Sequence, residues 1–253
     1  VTTLEGVTSL LVIQPDAQDP PGPLGDWLTA AGADLHLVTP STLPADLAGH
    51  AGLVVLGGEM GATDDLDYPW LADVRRLLAE AVTRQLPTLA ICLGAQLLAV
   101  AAGGTVARGA DGPEIGPALV AKRDLGWTDP LFAELPLMPD VLQFHSDVVE
   151  RLPPNTALLA AATRYPNQAF RIGRCGYGLQ FHIETTTDTV LAWARDHADE
   201  AEFAAPGALR RERLDQLHAD LEETWRPVAE AFVRLASGEL AAASRPQLPL
   251  LGQ

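Results

Sequence analysis

The chain is poor in lysine and in cysteine, and it has no uninterrupted apolar run of bilayer length. One lysine, Lys122, stands among 17 basic residues, and 33 acidic ones oppose them for a net charge of −16. Such a surface repels phosphate backbones and anionic membranes, so neither nucleic acid nor a membrane is an expected partner. The acidity itself reads as solubility. Two cysteines, Cys92 and Cys175, are too few for a disulfide-stapled secreted domain. The N-terminus lacks a basic region and its apolar run Leu10–Ile13 has strand length, so no signal peptide is expected. The most apolar longer stretch, Leu86 to Val106, contains Pro87, Gln96 and several glycines, and reads as a buried strand–turn–helix rather than a membrane span. A cytoplasmic, reducing setting follows, in which a thiol stays free. No set of Cys, His and Asp/Glu has metal-ligand spacing, so no metal and no cofactor is expected.

What is present is an alternation of short apolar runs and helical patterns, which argues for α/β layers. Val7–Ile13, Asp34–Thr39, Leu53–Leu56 and Thr88–Ile91 read as strands of a buried, mostly parallel central sheet flanked by helices. Leu24–Ala31 and Trp70–Arg84 read as crossover helices; in the second, Trp70, Leu71, Val74, Leu77, Leu78 and Ala81 share one face. Ala95–Ala102 is a third helix, stopped by Gly103-Gly104. Beyond residue 104 the runs shorten to Ala118–Ala121, Val141–Phe144, Ala157–Ala161, Gln168–Ile172 and Tyr177–His182, a spacing that suggests antiparallel ribbons. Thr185–His197 reads as a helix capped by its threonines. Leu214, Leu217, Leu221, Trp225, Val228, Phe232 and Leu235 then step by three or four along an added C-terminal helix, which Pro227 should kink or divide. That stripe serves either packing on the body or a homodimer contact. The expected organisation is residues 1–200 as the α/β domain, 201–243 as a helical extension and 244–253 as a flexible tail.

The chemistry sits in two segments ninety residues apart. Leu89-Ala90-Ile91-Cys92-Leu93-Gly94-Ala95-Gln96 reads as a strand ending at a thiol, turning through Gly94 into a helix whose N-terminal end favours a thiolate. Gly178-Leu179-Gln180-Phe181-His182-Ile183-Glu184 reads as a strand whose period of two puts His182 and Glu184 on one face. A thiol, an imidazole and a carboxylate are the parts of an activated cysteine nucleophile. His145, with Asp147 two residues on, competes with His182 for the part of base, and spacing alone does not decide between them. His36, His50, His197 and His218 read as structural, and Cys175, in a polar turn, is given no role. Gly57-Gly58-Glu59-Met60-Gly61 ends a buried strand and can aim backbone N–H groups at an oxyanion.

Leu56-Gly57-Gly58-Glu59-Met60-Gly61, Ile91-Cys92-Leu93-Gly94-Ala95-Gln96 and Phe181-His182-Ile183-Glu184 resemble the three signatures of class I, triad-type glutamine amidotransferases. Glu114-Ile115-Gly116, Asp129-Pro130-Leu131-Phe132 and Arg164 to Phe170 look like the branch near the glutaminase domain of GMP synthase. The resemblance runs from about Val7 to about Ala198; Ile183 departs from it, standing where the family usually has proline. It implies a class I glutamine amidotransferase-like fold in which Cys92 attacks the glutamine side-chain amide, His182 moves the proton and Glu184 orients His182. It further implies that Gly58 and Leu93 N–H groups hold the oxyanion, while Gln96, Met60, His145, Ser146 and Asp147 hold the amino-acid end. The expected substrate is glutamine or another γ-glutamyl amide, and any synthetase subunit that accepts the ammonia would be a separate chain. The alternatives are a stand-alone γ-glutamyl amide hydrolase with the same triad, and a non-catalytic binding protein on this fold.

Overall fold

The computed structural model describes residues 7–244, so the expected tail lies outside the described residues apart from Ser244. The first half alternates as expected: β1 (Thr8–Ile13), α1 (Gly22–Ala30), β2 (Ala33–Val38), β3 (Gly52–Val55), α2 (Leu71–Arg84), β4 (Thr88–Ile91) and α3 (Leu93–Ala101). The second half is ribbon-like: β5 (Thr105–Arg108), β6 (Glu114–Leu119), β7 (Ala121–Lys122), β8 (Asp140–His145), β9 (Asp147–Arg151), β10 (Thr156–Ala161), β11 (Ala169–Ile172) and β12 (Gly176–Leu179). Three helices close the described chain: α4 (Thr187–Asp196), α5 (Ala198–Ala201) and α6 (Arg211–Ser237).

Eight strands form one sheet in the order β2-β1-β3-β4-β12-β11-β10-β7. β2 through β12 run parallel, and β11, β10 and β7 continue antiparallel. Every residue of β3 and β4 is buried, because helices cover both faces and neither side meets water. The pleat sorts the side chains. Leu10 and Val12 of β1 point into one core with Trp27, Trp225 and Phe232; Leu11 and Ile13 point into the other with Leu71, Val74, Leu77 and Leu97. α1 and α6 therefore cover one face, α2 and α3 the other.

Three expectations change. The run Ala118–Ala121 is split between β6, which pairs with β8 in a ribbon, and β7, the sheet's last strand. The strand expected over Tyr177–His182 stops at Leu179; His182 instead makes an isolated bridge to Leu142, which draws the chain out of the sheet. Pro227 does not divide α6, a single helix of 27 residues. Its apolar stripe is buried: Leu214, Leu217, Leu221, Trp225 and Phe232 all lie in the core shared with α1 and β8. Burial of that stripe outweighs the one backbone hydrogen bond a proline removes. It also assigns the stripe to packing on the body rather than to a second copy. Among the described residues no helix is long and apolar enough to cross a membrane.

Candidate active site

The parallel strands β1, β3, β4 and β12 all end at one edge of the sheet, where open α/β folds place their crevices. A cavity of about 570 Å³ opens there, lined by Cys92, His182, Gly58, Met60, Gln96, His145, Ser146 and Asp147. The sequence-predicted residues come together at this edge. Leu93 follows Cys92 as the first residue of α3 and packs under Gly58.

Cys92 is the residue between β4 and α3. Its N–H donates to Leu179 O at 2.8 Å, continuing the β4–β12 pairing by one step. The backbone then turns sharply, with Cys92 itself at φ 49° and ψ −108°. A positive φ on a side-chain-bearing residue is strained, and such strain concentrates at functional turns. The turn is thus taken by the cysteine and not, as expected, by Gly94. Gly94 has another reason to be glycine: a Cβ there would run into Val55 O, so its absence lets α3 seat against the end of β3. Because α3 starts at Leu93, two residues earlier than expected, the Leu93 N–H lies in the first turn and has no intrahelical acceptor.

His182 and Glu184 pair without a pleat to align them. His182 Nδ1 lies 2.6 Å from Glu184 Oε1, and Glu184 Oε2 accepts the Ile183 N–H at 2.8 Å. The His182 N–H donates to Leu142 O at 2.8 Å, and the ring stacks tilted on Trp193 at 4.9 Å. Both side chains are buried. Burial pushes the imidazole down, but Glu184 and then Cys92 favour its protonated form, and the net direction is well up. His182 Nε2 makes no aligned hydrogen bond within the described residues, although the nearby thiol still acts on it. His145 differs. Its Nδ1 meets Asp147 O at 3.0 Å, and its Nε2 meets Gln143 Oε1 at 3.0 Å and Glu114 Oε2 at 3.2 Å. With both nitrogens engaged, it has none to offer a thiol.

The other predicted residues are tied into the wall. Gln96 Nε2 donates to Asp147 O at 3.0 Å, holding the β8–β9 turn against α3. Ser146 Oγ donates to Glu200 of α5, which also reaches Arg108. Burial raises the Asp147 carboxyl, with Arg108 opposing. In the acidic stretch after Gly58, Asp65 pairs with Arg75, and Asp64 accepts the Gly61 N–H at 2.8 Å. Cys175 lies at the other end of β4, its carbonyl accepting from Thr88 N; burial pushes its thiol up to about 11.

Sequence reasoning missed part of the lining. Asp16, Gln18 and Asp19 come from the loop after β1, Trp193 and Glu200 from α4 and α5, and His197 from the junction between those two helices. His197, read as structural, is 3.8 Å from Glu59 at the cavity rim. No local motif marks these positions; the β1–β3 and β4–β12 pairings bring them in from remote segments.

The family model described as Glutamine amidotransferase class-I matches residues 27–191. The glutamine-hydrolyzing GMP synthase of Christiangramia forsetii is 33% identical over 150 residues, covering 58% of this chain and 27% of the synthase. Gamma-glutamyl peptidase 4 of Arabidopsis thaliana is 30% identical over 148 residues, 58% of each chain. The chain thus spans about a quarter to somewhat over half of these curated relatives. The crystal structure of a glutamine amidotransferase from Thermotoga maritima superposes with a TM-score of 0.79 at 28% identity, covering 92% of this chain and 99% of that one.

Proposed function

Because the chain belongs to the glutamine amidotransferase class-I family, we propose that it hydrolyses a γ-glutamyl amide, glutamine in the first instance, through a cysteine thioester. His182 Nε2 takes the Cys92 proton, and the sulfur attacks the amide carbon. The N–H groups of Gly58 and Leu93 hold the resulting oxyanion. His182 returns the proton to the departing nitrogen, which leaves as ammonia, and a γ-glutamyl thioester remains on Cys92. Water, deprotonated by His182, then attacks the thioester and releases glutamate and the thiol. Glu184 keeps the imidazole in register and offsets its charge. Gln96, Met60, His145, Ser146 and Asp147 line the side assigned to the α-amino and α-carboxyl groups.

The observation that carries this reading is the His182–Glu184 pair at 2.6 Å, with Nε2 unpartnered among the described residues and near a cysteine on a strained turn. A second reading, hydrolysis of γ-glutamyl peptides or amines, draws on the cavity of about 570 Å³. That is the size class of drug-sized ligands, roomier than one amino acid requires. Turnover of glutamine and of a γ-glutamyl amide panel by the purified chain separates the two. Ammonia from glutamine supports the first, cleavage of the larger amides alone supports the second, and labelling of Cys175 with Cys92 untouched by an alkylating glutamine analogue defeats both.

A further inference from the structure

One buried acid takes no part in the reaction above. Asp19 stands in the loop after β1, 3% exposed, and its Oδ1 has no hydrogen-bond partner within the described residues. The loop is held firmly: Asp19 N–H donates to Asp16 O at 3.1 Å, and Trp193 Nε1 donates to Gln18 O at 3.1 Å. A Cβ on Gly57 would collide with Asp19 Oδ2 and stand 3.2 Å from His182 Cε1. The missing side chain of Gly57 is therefore the opening through which Asp19 reaches the imidazole–carboxylate pair. One polar atom from each of Asp19, His182 and Glu184 lies within 4.8 Å of the other two.

Two carboxyls this close and almost wholly buried resist ionising together. Glu184 is the acceptor of the two, because His182 Nδ1 and the Ile183 N–H both point at it. We propose that Asp19 is a positioning residue that keeps a proton and donates it to Glu184, so that the pair carries a single negative charge behind His182. The inference rests on reading Cys92, His182 and Glu184 as the triad. Burial and the Glu184 charge both drive the Asp19 carboxyl well above the usual carboxylate range, with His182 opposing. The groups that face this pair are Asp16 from the same loop, His182 from the segment after β12 and His218 from α6; Cys92 faces His182. An ionised Asp19 would repel Glu184 and attract the imidazole from the Cε1 side. A protonated one braces Glu184 instead.

The test uses the full chain and two variants. Asp19→Asn keeps an uncharged N–H donor toward Glu184, and Asp19→Leu removes it. Isotope-edited infrared spectra at neutral pH should show a protonated-carboxyl stretch in the wild type that Asp19→Asn lacks. The pH profile of Cys92 alkylation by iodoacetamide, which reads the thiol–imidazole pair, should be the same in both. Glutamine kcat should stay within a few-fold in Asp19→Asn and fall about ten- to a hundredfold in Asp19→Leu, with KM unchanged. Absence of the protonated band, an alkylation profile displaced in Asp19→Asn, or a stoichiometric divalent cation in the purified chain overturns the proposal. A wild type that leaves glutamine untouched defeats the proposed function alone, since the infrared and alkylation results stand without substrate. If Asp19→Leu does not fold, Asp19→Asn still decides.

Discussion

At φ 49°, Cys92 holds a backbone conformation that a glycine would adopt without strain. Cys92→Ala and Cys92→Gly should both abolish hydrolysis, yet Cys92→Gly should be the more stable of the two by about 1 kcal/mol in urea titration. Equal stability would mean that the turn stores no strain. Gly94→Ala is expected to do harm of a different kind, because its new methyl collides with Val55 O and must push α3 off β3. His182→Asn should cost roughly three or more orders of magnitude in kcat, whereas His145→Asn should act mainly on KM. Comparable loss of kcat from both would assign the wrong base. Asp19 also predicts a pH dependence. Its carboxyl is raised in the fold, so the folded state keeps a proton that the unfolded chain releases above about pH 4. Folding stability from this group is therefore complete at low pH and declines as pH rises toward the folded value. Asp19→Asn removes that decline, and its stabilisation relative to wild type should grow from pH 4 to pH 7 in thermal melts.

Periodicity was the reliable guide at the level of elements, and it failed where a long-range contact overrode it. β1 and α2 are legible because burial on known faces dictates their apolar spacing. The end of β12 is not legible: Gln180 to Glu184 has strand-like composition, but the bridge from His182 to Leu142 bends it away. His182 and Glu184 meet nonetheless, since the Ile183 N–H anchors the carboxylate one residue on. The site reads similarly. Cys92, His182 and Glu184 are visible as residue types in motifs, while Asp19 and Glu200 reach the cavity only through tertiary pairing. In α6, Pro227 misleads because local propensity ignores what the opposite face buries. Trp225 is the largest such contribution: it is fully buried, meets Phe132 edge-on and Phe181 at a tilt, and donates from Nε1 to Asp140 O at 2.9 Å. Trp225→Ala should cost about 3–5 kcal/mol, seen as a lowered urea midpoint. A loss below 1 kcal/mol would show that α6 is dispensable to the core.

Across the whole molecule, two cores share one sheet, and both contribute to the wall around Cys92. Activity and global unfolding should therefore be lost together in a denaturant titration followed by tryptophan fluorescence and hydrolysis. Activity lost well before fluorescence would mean that the cavity edge opens on its own. The pairing of β4 with β12 has a further result. Thr88 meets Gly176 and Ile91 meets Leu179, so the sulfur and the imidazole come from segments separated by nearly ninety positions. During synthesis the cysteine leaves the ribosome long before its histidine exists, and closing so wide a loop is among the slower steps of chain collapse. The proposed nucleophile and base thus meet only when the central seam between β4 and β12 zips shut, so the nascent polypeptide carries the proposed chemistry in two unconnected pieces.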